Sequence, residues 1–167
     1  MAAATARGMA GHHRAAEVTD DWYEFLIALL AARARFLVVG AHALAAHGVP
    51  RATQDLDVWV EPTPDNAERV WTALATFGAP ADALGIKRED LSTADMVVQF
   101  GVPPNRIDIL TGISGVPTFE EAWKDRMELQ VRNRTVPFLG RATMLTNKRA
   151  SGRRKDLADV EAMGERP

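Results

Sequence analysis

Residues 51–60, RATQDLDVWV, contain the pattern that decides the fold. Apolar and polar residues alternate here with a period of two, which predicts a β-strand over 51–60 with one buried face. The buried face would carry Leu56, Val58 and Val60, and the opposite face Arg51, Thr53, Asp55 and Asp57. Asp is a poor strand former, so two of them in an otherwise β-branched run require a reason.

The carboxylates of Asp55 and Asp57 would lie roughly 6–7 Å apart on one strand face, because a strand rises ~3.3 Å per residue. Two carboxylates this close on a rigid element repel each other unless a cation lies between them. The pair therefore predicts a divalent-metal site of the kind that serves phosphate chemistry. The alternative is an exposed strand with a solvated acidic face.

The segments on either side of this strand add to the metal interpretation. Residues 36–40, FLVVG, predict a short strand that ends in glycine, and residues 41–47 predict a short Ala-rich helix. Free amides at the start of such a helix, above Gly40, would bind an anion, and glycine would let a phosphate approach closely. Residues 105–110, NRIDIL, predict another alternating strand that carries a third carboxylate, Asp108.

The remaining periodicities predict three longer helices and two hairpins. The helices would cover 20–35, 64–77 and 141–151, with Gly152 ending the third and a last helix opening near Lys155. The hairpins would pair 95–100 with 105–110, and 127–131 with 135–138.

Together these residues resemble the nucleotidyltransferase superfamily with the DNA polymerase β-like catalytic fold. The resemblance is carried by Val39-Gly40-Ala41, by Arg51-x-Thr53-x-Asp55-x-Asp57 and by Ile107-Asp108-Ile109. The tail from Lys148 through GRRKDLAD is similar to the C-terminal motif of the AbiEii/AbiGii-toxin-like branch. One departure is Ala41, which stands where the family has Ser or Gly, so no hydroxyl is available there to contact a phosphate.

The resemblance implies an α+β fold, a mixed β-sheet flanked by helices with further helices at the C-terminus. It implies that Asp55, Asp57 and Asp108 hold two Mg²⁺ ions. It also implies a nucleotide site, made by the amides of Gly40 and Ala41 and by Arg51, Thr53, Lys148 and Asp156.

Two residues of the C-terminal segment keep alternative interpretations. Lys148 lies on the inward stripe of its predicted helix, so it either extends past the core to water or reaches a buried anion. Asp156 either complements the N-terminus of the last helix or belongs to the site and orients Lys148.

Composition sets further bounds. A chain of 167 residues fits one domain, which we expect to cover 19–167 after a poorly ordered lead-in, 1–18. The absence of cysteine excludes disulfides, thiolate metal sites and cysteine catalysis. No apolar run approaches the ~18 residues of a membrane span, and the N-terminus has no apolar core segment, so we expect a cytoplasmic location. The chain has no G-x-x-x-x-G-K-[ST] run, which excludes a P-loop enzyme.

These features predict a Mg²⁺-dependent nucleotidyltransferase that transfers a nucleoside monophosphate from ATP or another nucleoside triphosphate to an acceptor hydroxyl. Residues 132–155 contain eight basic residues and no acidic one, a stretch suited to triphosphate oxygens or to an RNA acceptor such as tRNA. A partner protein and a small molecule are the other acceptors, and the toxin-like tail indicates a role beside an antitoxin. The alternative is a catalytically silent binding module that keeps the fold and acts through a partner.

Overall fold

A computed structural model describes residues 17–167 of the chain. The predicted lead-in, 1–18, lies almost entirely outside the described residues. The strands are β1 (Phe36–Val39), β2 (Asp55–Val60), β3 (Val97–Phe100), β4 (Arg106–Leu110), β5 (Met127–Val131) and β6 (Arg134–Phe138). The helices are α1 (Asp20–Ala31), α2 (Gly40–Ala46), α3 (Pro64–Phe77), α4 (Phe119–Lys124), α5 (Arg141–Ser151) and α6 (Arg154–Ala162), with a 3-10 turn at Arg88–Leu91.

The strands form one mixed sheet in the order β3-β4-β2-β1-β6-β5. The neighbours β2 and β4 are parallel, as are β1 and β6, and the other three pairs are antiparallel. Since β2 and β4 are parallel neighbours near the middle of the sheet, side chains in register on them lie side by side. The α+β class expected from the sequence is confirmed.

The core is apolar on both faces of the central strands. All residues of β1 are buried, as are Leu56 and Val58 to Val60 of β2. Helices α1 and α3 pack on each other, and the ring of Phe25 lies 5.4 Å from those of Phe77 and Phe100, edge-on to both. The middle of the sheet is therefore held rigidly, which favours precise placement of any side chain that it carries.

The elements expected from periodicity are largely confirmed. α3 and α5 have the predicted bounds, and both hairpins form. Gly152 ends α5 in the left-handed conformation, as expected, and the side chain of Thr63, which the sequence analysis did not single out, caps α3.

Two boundaries were wrong. The first helix ends at Ala31 rather than 35, because Arg33 has a φ of 57° and the chain turns there into β1. The strand predicted over 51–60 begins at Asp55, so Arg51 and Thr53 lie in the preceding loop. The hydroxyl of Thr53 donates to both the backbone oxygen and the Oδ1 of Asp55, which folds the loop back on the start of the strand.

Within residues 17–167, no helix is both long and apolar enough to cross a bilayer.

Candidate functional site

Three carboxylates meet at the ends of β2 and β4. The register places Asp57 beside Asp108, and Asp55 beside Arg106. Each of Asp55, Asp57 and Asp108 offers an oxygen that lies within 4.8 Å of the others. The predicted convergence of three acidic side chains from two strands is confirmed, and none of the three is turned into purely apolar surroundings.

Asp57 is the carboxylate of this cluster whose charge is least compensated by neighbouring groups. It accepts no hydrogen bond from the residues that the structure describes, whereas Asp55 and Asp108 both do. Burial, followed by repulsion from Asp55 and Asp108, raises the pKa of Asp57 to about 7. A cation bound at this point would relieve that repulsion.

Gly40 makes room for this carboxylate. It opens α2 with a φ of 64°, and a Cβ built on it would overlap Oδ2 of Asp57. Asp57 thus fills the position that a Cβ on Gly40 would take, and the phosphate contact expected from the amides of Gly40 and Ala41 stays a prediction. Glycine is needed both for its left-handed backbone and for this close approach.

Ala41 follows in the first turn of α2 and lines the same cleft, where it presents a methyl group. The next residue, His42, is buried and packs edge-on against Trp22 at 4.9 Å between ring centroids. His42 is thus part of the packing of α2 against α1, and it does not line the cleft.

Arg106 is the site residue that the sequence analysis missed. Its Nε donates to Oδ1 of Asp108 at 3.0 Å, and its Nη2 donates to Oδ2 of Asp108 at 3.1 Å and to Oδ2 of Asp55 at 2.6 Å. The signal was present, because Arg106 lies two residues before Asp108 and therefore on the same face of β4. The two carboxylates raise the pKa of Arg106 above its already high value.

Lys148 lies on the inward face of α5, as its spacing predicted, and it is buried. Its Nζ lies 2.8 Å from Oδ2 of Asp159 and 3.3 Å from Oδ1 of Asp156. The buried anion that it reaches in this structure is therefore supplied by the chain itself. The contact with Asp156 agrees with the interpretation in which Asp156 orients Lys148.

The two aspartates of α6 have further cationic partners. Arg51 pairs with Asp159, and the Nε of Arg153 donates to Oδ2 of Asp156 at 2.7 Å. Burial alone would raise the pKa of Asp156, but hydrogen bonds from Ser151 and Arg153 and the charge of Lys148 hold that pKa below its usual range. This network joins α5 and α6 to the loop before β2.

A cleft of about 1020 Å³ is lined by residues of both groups. Asp55 and Asp57 line it together with Gly40 and Ala41, whereas Asp108, 6% exposed, does not. The cleft is also lined by Arg51, Thr53, Ser151 and the charged residues of α5, α6 and the turn between them: Lys148, Arg153, Lys155, Asp156 and Asp159. Every residue that the sequence assigned to metal or nucleotide, apart from Asp108, lines this cleft.

The basic stretch 132–155 does not form one surface. Arg132 pairs with Asp20, Arg141 pairs with Glu165, and Arg149 donates to the backbone oxygen of Arg166. Only Lys148, Arg153 and Lys155 of the stretch line the cleft. Of the eight basic residues that the sequence suggested for phosphate or RNA contacts, the fold thus brings only these three to the cleft.

The donor set fits a hard divalent cation. Carboxylate oxygens are the ligands that Mg²⁺ prefers, and Asp57 has no competing hydrogen-bond donor among the described residues. No protein-family model and no curated protein matches this chain at a significant level. The functional argument therefore depends on this cleft and its residues.

Proposed function

We propose that this chain is a Mg²⁺-dependent nucleotidyltransferase that moves a nucleoside monophosphate from a nucleoside triphosphate to an acceptor hydroxyl. The observation that carries the proposal is a single cleft lined by both kinds of charge: carboxylates of the cluster on β2 and β4, and cations from α5, α6 and the loop before β2. A metal-bound triphosphate requires both, because the metal needs oxygen ligands and the phosphates need cationic or N–H donors. The resemblance in the sequence supports the same reaction.

In this proposal Asp55, Asp57 and Asp108 hold magnesium, which when bound supplies charge neutralisation and lowers the pKa of the acceptor hydroxyl. Arg51, Arg153 and Lys155 contact phosphate oxygens and offset the charge that develops on the leaving pyrophosphate. Lys155 is the best placed of these for a ligand, because it is exposed, lines the cleft and enters no ion pair among the described residues.

Other residues of the cleft position these groups. Thr53 holds Asp55 through its hydroxyl, and Lys148 fixes the two aspartates of α6, which in turn hold Arg51 and Arg153. Asp108 would accept the proton of the acceptor hydroxyl only after a shift of Arg106, since both of its oxygens already accept hydrogen bonds from that residue.

The acceptor belongs to one of three classes: an RNA end such as that of tRNA, a hydroxyl on a partner protein, or a small molecule. The cleft is wide enough for a nucleotide together with an acceptor group, and its cations favour an anionic acceptor. We propose a cytoplasmic reaction, where magnesium and nucleoside triphosphates are abundant, and a toxin role restrained by an antitoxin partner.

The decisive experiment incubates the purified chain with each α-labelled nucleoside triphosphate, Mg²⁺ and either total RNA or cell lysate. We expect one nucleotide to label one class of acceptor, and we expect EDTA or Asp57→Asn to abolish the label. Arg88→Gln is the matched control, because Arg88 pairs with Glu68 on α3, outside the cleft. Labelling that survives in Asp57→Asn at the wild-type rate would refute the metal assignment.

A second candidate, a silent binding module, is favoured by one observation, the methyl group of Ala41 at the cleft. Calorimetry separates the two candidates. Mg²⁺-dependent triphosphate binding without label transfer to any acceptor would identify the silent module, and Ala41→Ser would then be the variant in which to look for restored transfer.

A further inference from the structure

Arg106 occupies the space between two of the three proposed metal ligands. Its guanidinium makes two parallel hydrogen bonds to Asp108 and one to Asp55, and the amide of Gln99 adds a fourth donor at 3.3 Å from Oδ2 of Asp108. Both oxygens of Asp55 also have donors, Thr53 on Oδ1 and Arg106 on Oδ2. Asp57 alone is left without a donor among residues 17–167.

The charges of this cluster indicate how many ions it takes. Three carboxylates and one guanidinium carry a net charge of about −2, which a single divalent ion neutralises. A second divalent ion would have to displace a guanidinium that donates three hydrogen bonds to carboxylates. Such bonds are roughly twice as strong as neutral ones.

The position of Arg106 also agrees with a single bound ion. Asp55 and Asp57 line the cleft, whereas Asp108 and Arg106 do not. The cluster thus has one side on the cleft, where Asp57 accepts no hydrogen bond among the described residues, and a second side, called the closed side here, where the 34% exposed side chain of Arg106 already bridges Asp55 and Asp108.

We propose that Arg106 takes the place of the second cation, so that the site binds one divalent ion, with Asp57 as its principal ligand. Arg106 is then a positioning residue: it holds Asp55 and Asp108 together in the absence of metal and supplies the positive charge on the closed side. This inference rests on the proposed function and changes the two ions expected from the sequence to one.

The test counts bound ions directly, using Mn²⁺ as a substitute for Mg²⁺ and the loss of the free Mn²⁺ signal in electron paramagnetic resonance. We expect one ion per chain for the wild type and for Arg106→Lys, which keeps the charge. We expect two ions per chain for Arg106→Gln, which removes the charge and opens the closed side. Arg88→Gln, which removes an exposed arginine of the 3-10 turn that pairs with Glu68, should retain one ion.

The outcomes separate this inference from the proposed function. Two ions in the wild type would overturn the inference and leave the transferase proposal standing, as would a single ion in a folded Arg106→Gln. No ion in the wild type at millimolar Mn²⁺ would overturn the proposed function itself. Should Arg106→Gln fail to fold, the wild-type count still decides, because one ion supports the inference and two refute it.

Discussion

Replacing Gly40 with alanine should destabilise the chain well beyond the usual cost of such a change. Alanine in the left-handed region costs about 1–2 kcal/mol, and Gly40 has a φ of 64°. The new Cβ would also overlap Oδ2 of Asp57, so that side chain must leave its position. An off-rotamer shift adds about 0.5–1.5 kcal/mol. We expect a total loss of about 1.5–3.5 kcal/mol.

Gly152 provides a matched control. It has a φ of 63°, but a Cβ built there meets nothing within 4 Å. Gly152→Ala should therefore cost only the backbone penalty of about 1–2 kcal/mol. For a chain of this size each kcal/mol lowers the Tm by about 2–4 °C, so the two variants should differ measurably. Urea unfolding followed by the fluorescence of the four tryptophans gives the free energies.

A double-mutant cycle isolates the contact with Asp57. In an Asp57→Ala background the overlapping oxygen is absent, so the cost of Gly40→Ala should fall to that of Gly152→Ala, a coupling of about 0.5–1.5 kcal/mol. Equal costs for the two glycine variants in the wild-type background would refute the overlap. A cost that persists unchanged beside Asp57→Ala would show that it comes from the backbone alone.

Three further predictions concern charge. The pKa of Asp57 is raised in the folded chain to about 7, so between pH 4 and 7 the folded state binds one proton more than the unfolded state. The free energy of unfolding of the metal-free chain should therefore fall as pH rises through this window and level off above it. The difference in free energy of unfolding between metal-free Asp57→Asn and metal-free wild type should therefore shift in favour of the variant by up to about 3 kcal/mol from pH 5 to pH 8. An equal difference between the two proteins at both pH values in urea unfolding would contradict this. Mg²⁺ should raise the wild-type Tm more at pH 8 than at pH 5, because binding below pH 7 must displace the proton on Asp57. An equal rise in Tm at the two pH values in differential scanning fluorimetry would argue against Asp57 as a ligand. Lys148→Met should lower the free energy of unfolding by about 3 kcal/mol, because Asp156 and Asp159 then lack one of their cations. Adding Asp159→Asn should recover part of that loss in urea unfolding. No recovery would show that packing of the lysine stem, rather than its charge, sets the cost.

The alternation of apolar and acidic residues predicted the strands that carry Asp55, Asp57 and Asp108, and the family resemblance implied that the three carboxylates meet. Period-two patterns report which face a side chain takes, and a parallel pair of strands then brings like faces together. The same rule could not place Arg51 and Thr53, because a hydrogen bond from Thr53 to Asp55, and not hydrophobicity, decides where β2 begins. Local side-chain contacts of this kind leave no periodic signal.

The sequence also could not predict which charged side chains pair with one another. A run of eight basic residues suggests one continuous basic surface. In the fold, Arg132, Arg141 and Arg149 instead contact a carboxylate or a backbone carbonyl outside the cleft. Arg106 shows the converse: a single arginine outside any basic run enters the acidic cluster because β4 places it beside Asp55.

The two charged clusters that line the cleft differ in how far their charges are compensated. Buried Asp156 and Asp159 of α6 pair with cations from three segments, Lys148, Arg51 and Arg153, and Lys155 lines the cleft beside them. On β2 and β4 the compensation is incomplete, because Arg106 neutralises one of three carboxylates and Asp57 keeps a raised pKa. Buried charge that is left uncompensated costs stability. In the proposed function a divalent ion at Asp57 would supply the missing positive charge, and its anionic ligand would be held by Lys155.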